Sequence, residues 1–132
     1  MIKTFIQERA KWNEILKVDT ESGVITTYSQ DKEIGFPFSE YSTSLKEMGY
    51  GSLKQLYDRM KQIGKKEVDT EEQAKSEIEG LLNLAKYRKE HNGYRNIILR
   101  DGSVYDDIVE RLKQYNFTEC EAIRAIERKI NQ

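Results

Sequence analysis

The 132-residue sequence is poor in the residues that build disulfides, metal sites and membrane spans. It has one cysteine, Cys120, and one histidine, His91, which excludes an intrachain disulfide, a four-cysteine zinc site and a histidine pair. No apolar run approaches the roughly 20 residues of a membrane-spanning helix. The first residues become charged too soon for a signal peptide. These absences predict a cytoplasmic protein with no membrane association.

The composition is highly charged but still that of a folded protein. Hydrophobic residues make up 37% of the chain and charged residues 34%, yet aromatic residues reach 10%, which a disordered chain would lack. The length suits one domain, 1–132. The net charge of −1 argues against both a generally basic nucleic-acid binder and an acidic DNA mimic.

No group of residues indicates catalysis or metal binding. No spacing pairs Cys120 with His91 as a nucleophile and its base. Asp106, Asp107 and Glu110 place three carboxylates within one turn, but acidic residues at the start of a helix are favoured by the helix dipole without any metal. The sequence therefore predicts a protein that is not an enzyme and has no catalytic residue, metal ligand or cofactor.

The first half of the chain predicts helices around a small hairpin. Apolar residues at helical spacing within 1–10 predict a short opening helix. Runs of β-branched and aromatic residues near 15–28 predict an antiparallel hairpin. Residues 39–48 predict a second short helix, and Ser52 and Gly64 delimit a clearer one.

The second half predicts three helices and a second hairpin. Residues 69–92 form the longest periodic segment, with a cap at its start and basic residues at its end. Its predicted inward face consists of Ala74, Ile78, Leu81, Leu82 and Ala85. The Asp-Gly pair within 96–105 predicts a short hairpin. A helix follows over 106–116, with Ile108, Val109 and Leu112 predicted to face inward. Thr118 with Glu121 has capping-box spacing before the last helix, whose predicted buried residues are Ala122, Ile123, Ile126 and Ile130. The fold class is therefore α+β, a helix-dominated single domain with a small antiparallel sheet.

Charge blocks of both signs and grouped aromatic residues favour contacts with another protein. The candidate partner-binding residues are Lys86, Arg88 and Lys89, at the end of the long helix, together with Phe36 and Phe38, which flank the only proline. The two phenylalanines also fit a hydrophobic lid on the core.

These features predict a non-catalytic regulator that binds a protein partner. A composition rich in lysine, glutamate, isoleucine and tyrosine and poor in proline is typical of bacterial and phage proteins. In that setting the expected function includes inhibition of a nucleic-acid enzyme, in the manner of an anti-CRISPR protein. The oligomeric state and the identity of the partner stay open.

Residues 42–64 resemble a helix-turn-helix, with a short helix, a glycine-containing turn and a basic second helix. The resemblance implies a DNA-binding regulator as the alternative function. Basic side chains would then contact phosphates. The candidate nucleic-acid-binding residues are Lys54, Arg59, Lys61, Lys65 and Lys66.

Overall fold

The computed structural model describes residues 1–92 and 105–132, which form a mixed α and β fold, as the sequence predicted. The elements in chain order are β1 (Ile2–Glu8), β2 (Trp12–Asp19), β3 (Val24–Asp31), β4 (Pro37–Ser44), α1 (Leu53–Gln62), β5 (Lys66–Val68), α2 (Thr70–Asn92), α3 (Asp106–Lys113) and α4 (Glu119–Ile130).

The chain divides into two compact units. Unit 1 contains Met1–Glu33 and Pro37–Lys75, and unit 2 contains Ile34–Phe36 and Ser76–Gln132. Helix α2 therefore begins in unit 1 and continues in unit 2. In the described part of the chain, no helix combines the length and apolar character needed to cross a membrane.

Unit 1 is an antiparallel sheet with α1 packed on one face. The strand order is β4-β3-β2-β1-β5, and every neighbouring pair runs antiparallel. Side chains alternate between the two faces of a strand, so one face can be wholly apolar. The core between this face and the helix contains Phe5, Leu16, Val18, Ile25, Leu56 and Met60.

The start of α2 packs on the opposite face of the same sheet. The hydroxyl oxygens of Thr4 and Thr70 lie 2.9 Å apart, and the Gln73 amide nitrogen donates to the Gln30 side-chain oxygen at 2.7 Å. Both glutamines and Thr4 are buried. Because buried polar groups are costly without partners, these hydrogen bonds fix where α2 meets the sheet.

Unit 2 is built from α3, α4 and the later part of α2. Its core combines residues from all three helices: Leu81, Ala85, Ile108, Val109, Leu112, Ala122, Ile126 and Ile130, together with Tyr105. The predicted inward faces of α3 and α4 are confirmed, apart from the half-buried Ile123. The capping box is also confirmed, since Thr118 Oγ1 accepts from the Glu121 amide at 3.1 Å and the Glu121 carboxylate accepts from the Thr118 amide at 2.9 Å.

The buried face of α2 is rotated relative to the periodicity of its apolar residues. Gln73 and Glu77 are buried, whereas Ala74 and Ile78, which the sequence placed inside, are only partly buried. The Tyr115 hydroxyl donates a short hydrogen bond to the Glu77 carboxylate. Burial raises the pKa of Tyr115, and the Glu77 charge raises it further.

Two predicted helices are wrong, because both segments are strands. Residues 1–10 contain β1, which pairs with β2 along all seven of its residues and also with β5. Residues 39–48 contain most of β4, which pairs with β3. Strand pairing is a long-range interaction that overrides a weak local helical period.

The hairpin that the sequence predicts near 15–28 corresponds to β2 and β3. The sheet is larger than this hairpin because β1, β4 and β5 also belong to it. Nearly all of the second predicted hairpin, 96–105, lies outside the described residues.

Candidate functional site

Strand β4 stands last in the order of the described strands of unit 1 and carries an irregularity. Tyr41 pairs with Thr27 and Phe38 with Ser29, so two residues of β4 stand opposite the single residue Tyr28 of β3. This two-against-one arrangement is a β-bulge. Its first residue, Ser39, has a φ of +59°, a backbone conformation that residues other than glycine seldom adopt. Bulges are over-represented at sheet edges, where they re-aim side chains.

The bulge changes which way two aromatic residues face. Residues three apart in a regular strand point to opposite faces. Here Phe38 and Tyr41 are paired with Ser29 and Thr27, which share one face of β3. That face is the one on which α1 packs, because Thr27 is also aligned with Leu16 of the apolar core. The bulge therefore brings two exposed aromatic rings to the helix-covered face.

A cleft of about 530 Å³ opens between α1, β4 and the neighbouring strands, all within unit 1. We call it the β4 cleft. It is lined by Glu14, Ile15, Leu16, Thr27, Tyr28, Ser29, Ser39, Tyr41, Met48, Tyr50, Arg59, Met60, Ile63 and Lys65. The volume falls in the range of about 300–1,000 Å³ that is usual for ligand sites. Its walls combine aromatic and thioether side chains with three charged groups, the combination found in sites that bind and orient a partner.

A side-chain cap at the start of α1 and a glycine after its end define the helix beside the cleft. Ser52 Oγ accepts from the Gln55 amide at 3.3 Å and begins α1, as predicted. Gly64 follows the helix with a φ of +83°, which glycine tolerates without steric cost. These two ends set the position of Arg59 and of the chain that leads to Lys65.

Glu14 and Lys65 form an ion pair at one end of the β4 cleft. The Lys65 ammonium nitrogen lies 3.8 Å from a Glu14 carboxylate oxygen, and the Lys65 side chain is 9% exposed. Arg9 binds the same carboxylate at 3.1 Å. The hydrogen bond from Arg9 is the main reason that the pKa of Glu14 is lowered. Burial lowers the pKa of Lys65, and the Glu14 charge opposes that shift.

The five candidate nucleic-acid-binding residues do not form one patch in the β4 cleft. Arg59 and Lys65 line the cleft, and Lys65 is already paired with Glu14. Lys54 and Lys61 are exposed on α1, and Lys66 begins β5; none of the three lines the cleft. Since residues 37–44 form a strand, the first helix of the helix-turn-helix arrangement is absent.

Two of the three basic residues that the sequence predicts as partner-binding at the end of α2 make hydrogen bonds within unit 2. Arg88 donates two hydrogen bonds to the Asp107 carboxylate, at 2.9 and 2.7 Å. This pairing holds the pKa of Asp107 below its usual value and raises that of Arg88. Lys89 donates to the Ile130 carbonyl oxygen at 2.9 Å. Lys86 is partly buried on the same helix. A structural role therefore accounts for Arg88 and Lys89.

The two candidate phenylalanines have different environments. Phe36 is partly buried and packs against the core of unit 2, as expected of a hydrophobic lid. Phe38 belongs to unit 1, where it is 38% exposed on β4. Of the two, Phe38 has the more exposed side chain.

The residues considered for catalysis have ordinary structural surroundings. The His91 ring stacks on Tyr87 with 3.8 Å between the ring centroids, and Cys120 is exposed on α4. Glu110 pairs with Lys113 at 3.1 Å, and Asp107 pairs with Arg88. Within residues 1–92 and 105–132, no three side chains of histidine, cysteine, aspartate or glutamate are grouped as metal ligands.

Sequence reasoning missed Tyr41, Met48 and Tyr50 as parts of one site. The alternation of Tyr41 and Thr43 with serines is typical of a strand, although residues 39–48 also show the spacing that predicts a helix. Comparison of the chain with known protein families, with curated proteins and with solved structures finds no match.

Proposed function

We propose that this protein is a non-catalytic regulator that binds a protein partner through β4 and the β4 cleft. The observation that carries the proposal is the position of β4 in the sheet and the exposure of its side chains. This strand stands last in the order of the described strands, its residues 38–42 are all exposed, and it borders a partly apolar cleft. Exposed aromatic and thioether side chains beside a partly apolar pocket form the kind of surface that a protein partner contacts.

The exposed apolar residues support this choice of surface. Tyr41 is 61% exposed and Met48 and Phe38 are 38% exposed, all in unit 1 near the bulged edge. Tyrosine and methionine are enriched at protein interfaces because they bury much apolar area at modest entropic cost. In a bacterial or phage setting, the regulator would act as an inhibitor of a nucleic-acid enzyme, anti-CRISPR-like. That form of the proposal is supported by composition alone.

A capture experiment with matched variants tests the proposal. The tagged protein is incubated with a nuclease-treated lysate of the cells in which it is expressed. The cleft variant combines Tyr41→Ser with Arg59→Ala, and the control is Lys54→Ala, on the same helix but outside the cleft. We expect one protein to be captured by the wild type and by the control and to be lost with the cleft variant, whose folding is checked by circular dichroism.

A different interface would give a different pattern. Lys86→Glu tests the end of α2 without breaking the Arg88 and Lys89 contacts. Loss of the partner with Lys86→Glu, but not with the cleft variant, would move the interface to α2 and reject the role of β4.

DNA binding is the alternative function, and one observation favours it: Arg59 and Lys65 meet in one cleft. It predicts capture that disappears after nuclease treatment. It also predicts an affinity for duplex DNA that falls steeply with salt and is lost with Arg59→Glu. A protein complex that resists nuclease, together with no measurable affinity for duplex DNA, would reject it.

A further inference from the structure

We infer that the β4 cleft binds a mononucleotide, a small phosphate monoester that carries a flat heteroaromatic ring. The cleft has groups complementary to both parts of such a ligand, the anion and the ring. This binding goes beyond the protein contacts proposed above and does not depend on them. Because both ligands would occupy the same cleft, a bound mononucleotide would compete with the protein partner.

The first observation is an excess of positive charge in and beside the cleft. Of the described residues that line it, Arg59 and Lys65 are basic and Glu14 is acidic. The Glu14 carboxylate pairs with Lys65 at 3.8 Å and also with Arg9 at 3.1 Å, so these three residues together retain one positive charge. Arg59 adds another. A phosphate monoester carries a charge of about −1.5 to −2 at pH 7, which is complementary to this balance.

Arg59 is the basic residue placed to contact the phosphate directly. It lies in the last turn of α1 and is exposed. Among the described residues, no ion pair or side-chain hydrogen bond involves its guanidinium. The Lys65 side chain is only 9% exposed and is paired with Glu14. A guanidinium presents a planar set of donors that can bind two phosphate oxygens at once, so Arg59 supplies the charge-assisted hydrogen bonds.

The second observation is the exposed aromatic surface that β4 brings to the same cleft. Tyr41 lines the cleft and is 61% exposed, and Met48 lines it and is 38% exposed. A nucleobase that stacks on a tyrosine ring removes apolar area of both rings from water. Tyr41 is therefore the expected stacking partner of the base.

The hydroxyl groups of the cleft favour a heteroaromatic ring over a phenyl ring. Ser29 of β3 and Ser39 of the bulge both line the cleft. A serine hydroxyl both donates and accepts hydrogen bonds, so it can pair with the ring nitrogens and carbonyl oxygens of a nucleobase. A phenyl ring offers no such atoms. The volume of about 530 Å³ is within the usual range for sites that hold a complete small molecule.

Titration of the full chain with adenosine 5′-monophosphate, adenosine and inorganic phosphate tests the inference. Calorimetry measures the affinities, and the amide signals of the ¹⁵N-labelled protein locate the site. We expect the monophosphate to shift the signals of residues 39–41 and 59. It should bind about tenfold more tightly than adenosine or phosphate, because only the monophosphate makes both the ionic and the stacking contact.

Variants of the protein separate the two contacts. Arg59→Gln should weaken binding of the monophosphate about tenfold, and Arg59→Lys, which keeps the charge but loses the planar donors, should weaken it less. Lys54→Gln removes the same charge from α1 outside the cleft and should have no effect. Tyr41→Ser should weaken the monophosphate about tenfold and leave inorganic phosphate unchanged, whereas Tyr41→Phe should keep the affinity. Circular dichroism checks the folding of each variant.

The possible failures are distinguishable. If none of the three ligands shifts these signals, the inference is overturned, while the protein partner, which is tested by capture, is unaffected. If the monophosphate and inorganic phosphate bind equally and Tyr41→Ser has no effect, the cleft binds a simple anion and the ring is rejected. Tighter binding of O-phosphotyrosine, or of a short single-stranded oligonucleotide, than of the monophosphate would reject the mononucleotide in favour of a phosphorylated protein or a nucleic acid.

Discussion

Gly80, in the middle of α2, lies directly against the backbone of Gly35. A Cβ atom built on Gly80 would overlap the Gly35 carbonyl group and lie 2.6 Å from the Phe36 amide nitrogen. Gly35 itself has a φ of +102°, where a side chain is strained whatever the available space. The close approach thus depends on glycine at both positions, and it holds Ile34–Phe36 against the helix within unit 2.

Gly80→Ala should destabilise the protein although alanine is the better helix former. Helix propensity would favour alanine by about 1 kcal/mol. The overlap with backbone atoms forces the 34–36 segment away and should cost more, giving a net loss of about 1–3 kcal/mol in the free energy of unfolding. Urea denaturation followed by circular dichroism measures the difference. As a control, Lys75→Ala at an exposed site of the same helix should change the free energy of unfolding by less than about 0.5 kcal/mol. A stabilised Gly80→Ala protein would show that the close approach does not exist.

Tyr115→Phe should destabilise unit 2 by removing a donor from a buried carboxylate. Glu77 is fully buried and accepts from the Tyr115 hydroxyl. Losing one partner of a buried charged group costs about 1–3 kcal/mol. Tyr87→Phe is the control, because that ring is 44% exposed. Equal stability of wild type and Tyr115→Phe at pH 7 would contradict the pairing.

The same substitution should have a pH-dependent effect. Burial raises the pKa of Tyr115 in the folded state above its ordinary value near 10. The stability linked to Tyr115 is therefore fully present below pH 10 and is lost as the pH rises above it. The difference between wild type and Tyr115→Phe should accordingly narrow above about pH 10 in denaturation curves. If the difference in stability between the two proteins instead widens above about pH 10, the pKa of Tyr115 is not raised in the folded state.

Asp107→Asn should weaken the link between α2 and α3. The Asp107 side chain is 63% exposed, so solvent screening limits the expected loss at pH 7 to about 0.5–1 kcal/mol. Arg88 lowers the pKa of Asp107 in the folded state. The stabilisation by this ion pair is therefore present above the ordinary aspartate pKa of about 4. It disappears as the pH falls through the lower pKa that Asp107 has in the folded state. Asp106→Asn, one residue away in the same first turn, is the control for the helix dipole. A loss for Asp107→Asn that persists at pH 2 would exclude the ion pair as its cause.

Ser39→Gly should keep or increase stability because the bulge holds Ser39 at a φ of +59°. A left-handed conformation costs an ordinary residue about 1–2 kcal/mol and glycine little. Thermal unfolding should show a higher Tm for Ser39→Gly and a lower Tm for Ser39→Val. Ser42→Gly, in the regular part of β4, should instead lower Tm, since glycine weakens a strand. Identical effects of glycine at both positions would argue against the bulge.

Much of the helical structure could be predicted from the sequence because its signals are local. Ser52, Asp69 and Thr118 lie at the starts of α1, α2 and α4, and each side chain accepts from a backbone amide of the first turn. The inward positions of α4 follow from helical spacing alone. Such features depend on neighbours within four residues, which a single sequence displays.

Less of the candidate site could be predicted. Arg59 and Lys65 were identified as basic residues, but the cleft that unites them with Tyr41 requires α1 to pack beside β4. Phe38 and Tyr41 share a face only because of a bulge at Ser39. Nothing in the local residue pattern specifies such a bulge, since it arises from the pairing of two strands.

The sequence by itself determined the α+β composition, the capped helices and the apolar faces of α3 and α4, because these follow from short-range periodicity and capping chemistry. The tertiary structure decided that the segments around Phe5 and Tyr41 are strands and that Glu77 is buried. Each of these outcomes depends on a partner far along the chain, Leu16 for Phe5, Thr27 for Tyr41 and Tyr115 for Glu77. Interactions over such separations outweigh local propensity, because the burial and hydrogen bonding of a whole sheet exceed the small preferences of single residues.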